Sequence, residues 1–76
     1  MEYQPYQQRV IEEHRELTER INRLSEFFQT KTFHDLDEAE RVRMKAQREF
    51  MDGYAFMLQL RISAFNQKDA EPYPEF

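Results

Sequence analysis

Residues 37–65, DEAERVRMKAQREFMDGYAFMLQLRISAF, decide the fold of this chain. No proline interrupts them, and Ala, Met, Arg, Lys, Gln and Leu, all good helix formers, dominate. Asp37 can cap the start, and Glu40, three residues on, can close a capping box. Two apolar stripes run along the stretch. One is Ala39, Ala46, Phe50, Met57, Leu60 and Ala64; the other is Met44, Met51, Tyr54, Leu58, Ile62 and Phe65. Steps of three, four and seven place each set on one helical face. Together they are wider than a single partner helix covers, so this helix is expected to have more than one neighbour.

Upstream, Pro5 suits a first helical turn, where its missing N–H costs nothing. A first helix is expected from about residue 5 to residue 30. Its apolar seam is Val10, Leu17, Ile21, Leu24, Phe27 and Phe28, with Gln7 and His14 in the same heptad register. The opposite face carries Glu12, Arg15, Glu16, Glu19, Arg20, Arg23 and Glu26, an ordinary solvated charged surface. Thr30 to Leu36 breaks the period, with Phe33 and Leu36 expected to tuck back against the helices. So short a connection favours antiparallel neighbours. The expected unit is therefore an all-α, antiparallel two-helix hairpin over residues 1–65, with helices at about 5–30 and 38–65. Folding about Phe33 would bring Phe28 near Ala39, Ile21 near Ala46 and Val10 near Met57. Residues 66–76, with Pro72 and Pro74, read as a flexible tail in which Tyr73 or Phe76 could dock.

Length and composition narrow the function classes. A chain of 76 residues is one small domain. Below roughly 80 residues a single core supplies only a few kcal/mol, and with no cysteine there is no disulfide to help, so assembly into a homo-oligomeric helical bundle is expected, a tetramer before a dimer. The net charge of −4 disfavours a binder of polymeric nucleic acid or of anionic membrane. No run approaches the roughly 20 apolar residues of a membrane span. Catalytic chemistry is not legible. His14 sits on the first seam, and His34 with Asp35 and Asp37 lacks further nitrogen ligands, so no metal and no cofactor are expected. Ser25 and Ser63 have no histidine in a plausible arrangement, and no glycine-rich phosphate loop exists.

Polar residues inside apolar stripes carry more information. Gln47, Met51, Tyr54, Leu58, Arg61 and Phe65 form one line along the second helix, in which Gln47 and Arg61 are out of character. On the antiparallel pairing Arg61 comes near Tyr6 and Arg9. The second helix opens on Asp37, Glu38 and Glu40, which repel anions, whereas the first has no acid between Glu2 and Glu12. An anionic ligand is thus expected at the open end. The candidate site gathers Tyr6, Arg9, Gln47, Tyr54 and Arg61: the arginines for phosphate, a tyrosine to stack a base, Gln47 to read a base edge. Arg41, Arg43, Lys45 and Arg48 lie nearer the turn, opposite Glu19 to Glu26. Surface ion pairing accounts for most of them, and Lys45 and Arg48 are the reserve cations.

The ordered set Tyr6-x-x-Arg9-Val10-x-x-Glu13, Leu17, Leu24, Phe27, Phe33-x-x-Leu36, Gln47-x-x-x-Met51-x-x-Tyr54 and Leu60-Arg61-Ile62 resembles a family of short phage proteins related to the crAss-like phages. That set is similar in turn to viral nucleotide sponges, which sequester the cyclic oligonucleotide signals of bacterial anti-phage immunity. The resemblance implies a homo-oligomer with pockets between subunits, a cyclic di- or trinucleotide as ligand, no catalysis, and action in the host bacterial cytoplasm. The competing expectation is a helical interaction protein that grips and inhibits a host protein, or a structural oligomer with no ligand.

Overall fold

The computed structural model describes residues 3–65, and these are all-helical with no strand among them. Helix α1 is Pro5–Phe27, α2 is a single turn at Lys31–His34, and α3 is Glu38–Ala64. The expected break between two helices thus holds a helical turn of its own, and α1 stops short of residue 30. Thr30 is the physical reason. Its hydroxyl donates to the Phe27 carbonyl at 2.7 Å, closing α1, and accepts from the Phe33 N–H at 3.2 Å, opening α2. One side chain ends one helix and starts the next. The expected tail, with Tyr73 and Phe76, lies outside the described residues.

The start of α1 is the expected one, whereas the capping of α3 differs. Pro5 opens α1, and the Gln4 N–H donates to Gln7 Oε1 at 2.8 Å. Asp37 does occupy the N-cap position of α3, yet its side chain makes no capping hydrogen bond. The expected capping box is not formed, because the Glu40 carboxylate turns forward to accept from Arg43 Nε at 2.9 Å.

Contacts between α1 and α3 run in opposite senses along the two helices. Tyr6 meets Phe65, Glu13 meets Tyr54, and Ser25 meets Arg48. On α1 the seam is the expected one: Val10, Leu17 and Ile21 are buried, and Gln7, His14, Leu24 and Phe28 are half-buried in register with them. On α3 the facing row is Arg41, Met44, Arg48, Met51, Ala55, Leu58, Ile62 and Phe65, in alternating steps of three and four. Leu58 at its centre is fully buried and joins Val10, Leu17 and Ile21 in one cluster. A two-per-heptad seam covers one such row and no more. Ala39, Ala46 and Met57, expected against α1, are accordingly exposed, as is Tyr54 at the row's edge.

The turn end is closed by aromatic packing. Phe33 keeps only 2% of its surface exposed, with the Phe28 ring centroid at 4.7 Å and that of Phe27 at 5.9 Å. Burying such a ring contributes roughly 1.5–3 kcal/mol, a large share for a chain of this size. Arg41 Nη1 donates to the His34 carbonyl at 2.6 Å, and Lys45 Nζ sits 5.9 Å from the Phe33 ring centroid. The basic group thus does not reach across to the acids of α1. It serves the turn, its own helix and, through Arg48, the Ser25 hydroxyl of α1. Among the described residues no helix is long and apolar enough to cross a membrane.

Candidate functional site

Turning one row of α3 inward leaves the neighbouring row without a cover. Arg43, Ala46, Gln47, Phe50, Met51 and Tyr54, spaced by ones, threes and fours, line a shallow groove of about 510 Å³ on that side of α3. Phe50 is 80% exposed and forms an apolar wall; Met51, half-buried against the core, forms the floor. The polar groups here are few and differ in kind. Gln47 Nε2 has only the weak acceptor Met51 Sδ at 3.9 Å, so its amide keeps both donor and acceptor capacity. Arg43 spends its Nε on Glu40 in an exposed i,i+3 pair, which is worth little and leaves its Nη donors for another acceptor.

Tyr54 closes one end of the groove and ties it to α1. Its hydroxyl donates to the Glu13 carboxylate. This hydrogen bond, then partial burial, then the nearby Glu13 charge push the phenol above its ordinary value, and Arg61 two turns further along pulls the other way. Tyr54 is therefore a neutral, oriented ring at any pH near neutrality. Arg61 is half-buried.

Of the residues singled out from sequence, Gln47 and Tyr54 line this groove together, and Arg61 is close enough to Tyr54 to bear on its ionisation. Along α3, however, Gln47 and Arg61 stand about 21 Å apart at 1.5 Å per residue. Tyr6 lies at the far end, edge-on to Phe65 at 6.2 Å, with Tyr3 against the same ring at 6.1 Å. Arg9 is on the exposed surface of α1. The reserve cations have structural work: Lys45 over Phe33, and Arg48 donating to Ser25 Oγ at 2.7 Å while Nη1 stands 3.4 Å from Asp52. Sequence reasoning missed Arg43, Ala46 and Phe50 as groove residues. The signal was present, since Ala46 and Phe50 belong to the first apolar stripe, but that stripe was read as a packing face for α1 and further neighbours and not as the wall of a groove. Among the described residues no cluster of histidines and acids is suited to a metal ion.

Chemically, the groove offers a flat apolar wall, an amide and a guanidinium on one side, with no acid among its lining residues. A sequence-family model described as Sequestin matches residues 4–64, which takes in all three helices and every groove residue. No curated protein and no solved structure matches the chain.

Proposed function

We propose a ligand for this chain from the premise that it belongs to the Sequestin family, whose name denotes sequestration. The protein acts as a non-catalytic, phage-encoded sponge: a helical hairpin that assembles with its own copies and sequesters a cyclic di- or trinucleotide in the host bacterial cytoplasm. The groove on α3 is the observation that carries this reading. Phe50 and Tyr54 can each stack a base, at about 1–3 kcal/mol per base. Gln47 can pair with a base edge, and Arg43 can take a phosphate oxygen. A cyclic oligonucleotide presents these three features within a short span, and burying it needs more wall than one exposed helix face supplies.

The test is thermal denaturation of the purified protein with cyclic di-AMP, cyclic GMP-AMP, cyclic di-GMP and cyclic tri-AMP. Tight binding raises the melting temperature by mass action, whereas a protein that only grips another protein responds to none of them. The 80% exposure of Phe50 favours that second reading, in which the apolar face of α3 docks on a host protein.

A further inference from the structure

The outer face of α3 carries a pattern that the isolated chain does not explain. Val42 is 61% exposed, Phe50 80%, Met57 49% and Leu60 48%, all on one side of the helix with Ala46 and Gly53. Gly53 is the chain's single glycine, mid-helix, with an ordinary helical backbone and no positive φ. A Cβ built there meets nothing within 4 Å, so neither backbone conformation nor internal packing calls for glycine. It weakens helix propensity with no return inside the chain.

The residues around Gly53 are arranged in complementary sizes. Ala46 and Leu60 lie equally far from it on either side; so do Val42 and Ala64, and Phe50 and Met57 flank it nearly symmetrically. An antiparallel copy of α3 crossing at Gly53 therefore sets Leu60 on Ala46, Val42 on Ala64 and Phe50 on Met57, with glycine facing glycine where the backbones are closest. Leu60 and Val42 each meet an alanine, while Phe50 and Met57 pack on one another to either side of the crossing. Only a second copy of this chain has to satisfy such a relation about a single point. The exposed apolar side chains offer on the order of 500–600 Å² per copy, near the lower end of specific interfaces.

Such a pairing changes the groove. A two-fold axis perpendicular to the paired helices keeps the same flank of both on one side, so the groove edges adjoin. Arg61 lies eight residues beyond Gly53, and its counterpart on the other copy falls between Arg43 and Gln47. We infer that the groove is completed by a second copy: α3 pairs antiparallel with itself across Gly53, and the partner's α3 supplies the guanidinium of its own position 61 beside Arg43 and Gln47. This rests on the ligand reading above and deepens it. Two guanidiniums from different chains converge where no groove residue is acidic, a placement that an anionic phosphate between them stabilises. The 21 Å separation of Gln47 and Arg61 along one helix is then no obstacle.

Two experiments test it. The chain has no cysteine, so an Ala46→Cys, Leu60→Cys double variant and each single variant can be oxidised and run without reductant. The two positions are too far apart on one helix to bridge within a chain. The double variant is expected to form a covalent dimer and the single variants to remain monomers. Self-bridging of either single variant, or no bridging of the double variant, overturns the pairing. The second experiment mixes Arg61→Ala with Gln47→Ala and measures capture of whichever of the four cyclic nucleotides shifts the wild-type melting temperature. Each variant alone is expected to lose at least tenfold in affinity, and the mixture to regain about a quarter of the wild-type sites, as random pairing into two-fold dimers gives. A mixture that regains nothing overturns the shared site. Cross-linking as expected with no nucleotide bound by the wild type sinks the ligand reading and leaves the pairing standing.

Discussion

The face of α3 that meets α1 and the face that points away carry similar side chains. The first has Met44, Met51, Leu58, Ile62 and Phe65; the second has Val42, Phe50, Met57 and Leu60. One is covered and the other is not, so hydrophobicity does not decide which face is core. Register does. α1 offers a seam two residues wide per heptad, and the α3 row that keeps alternating three- and four-residue steps from Arg41 to Phe65 fits it without a break. The outward row is left apolar, and next to it lies the groove. A scaffold face and a recognition face are thus built on one helix from the same kinds of residue.

If that division is right, substitutions on the two faces separate folding from assembly. The largest effect is expected at Leu58, fully buried at the centre of the inner row. Leu58→Ala should cost about 2–5 kcal/mol of unfolding free energy in urea, enough to unfold much of so small a domain. A cost within 0.5 kcal/mol, the range usual for about any surface site, would break the comparison. Gly53→Ala should act with the opposite sign on the dilute, unassembled chain, stabilising it by up to about 1 kcal/mol through helix propensity. The same methyl should weaken self-association in sedimentation, because it separates the two backbones at their crossing.

Tyr54 joins the faces, and its contribution is smaller. Tyr54→Phe removes the hydrogen bond to Glu13 and should cost about 0.5 kcal/mol, the low end for such a bond because the side chain is half exposed. The phenol's folded value is raised, so its contribution is fully present below the ordinary tyrosine value of about 10 and is lost as pH rises through the higher folded value. Tyrosinate absorbance of the wild type should show a phenol that ionises above the ordinary tyrosine value and is missing from Tyr54→Phe. The smallest effect on folding is expected at Phe50. Phe50→Ser should change unfolding of the dilute chain by less than about 0.5 kcal/mol, yet reduce the mass seen by light scattering at micromolar concentration.

Much of the helical content was legible from sequence, because long uninterrupted runs of good helix formers leave few alternatives. The α1 seam was legible too, since one narrow row offers one choice. On α3 two rows competed, and sequence spacing alone does not say which one a partner takes; Ala39, Ala46 and Met57 were expected against α1, where Met44, Met51, Ala55 and Leu58 stand instead. The turn was misread because Thr30 was weighed only as a poor helix former, whereas its hydroxyl serves both flanking helices. Gln47 and Tyr54 stood out as polar groups in an apolar line. Arg43 and Phe50 did not, since each looks ordinary until the groove beside it is known.

The most direct measurement is equilibrium dialysis of the protein against a cyclic nucleotide that shifts its melting temperature, followed by heat release and chromatography of what was held. Sequestration predicts that free nucleotide falls in proportion to protein added, that the intact ring is recovered in full, and that Arg61→Ala leaves the free concentration unchanged. Recovery of opened or shortened nucleotide, or no depletion at any protein concentration, would contradict it.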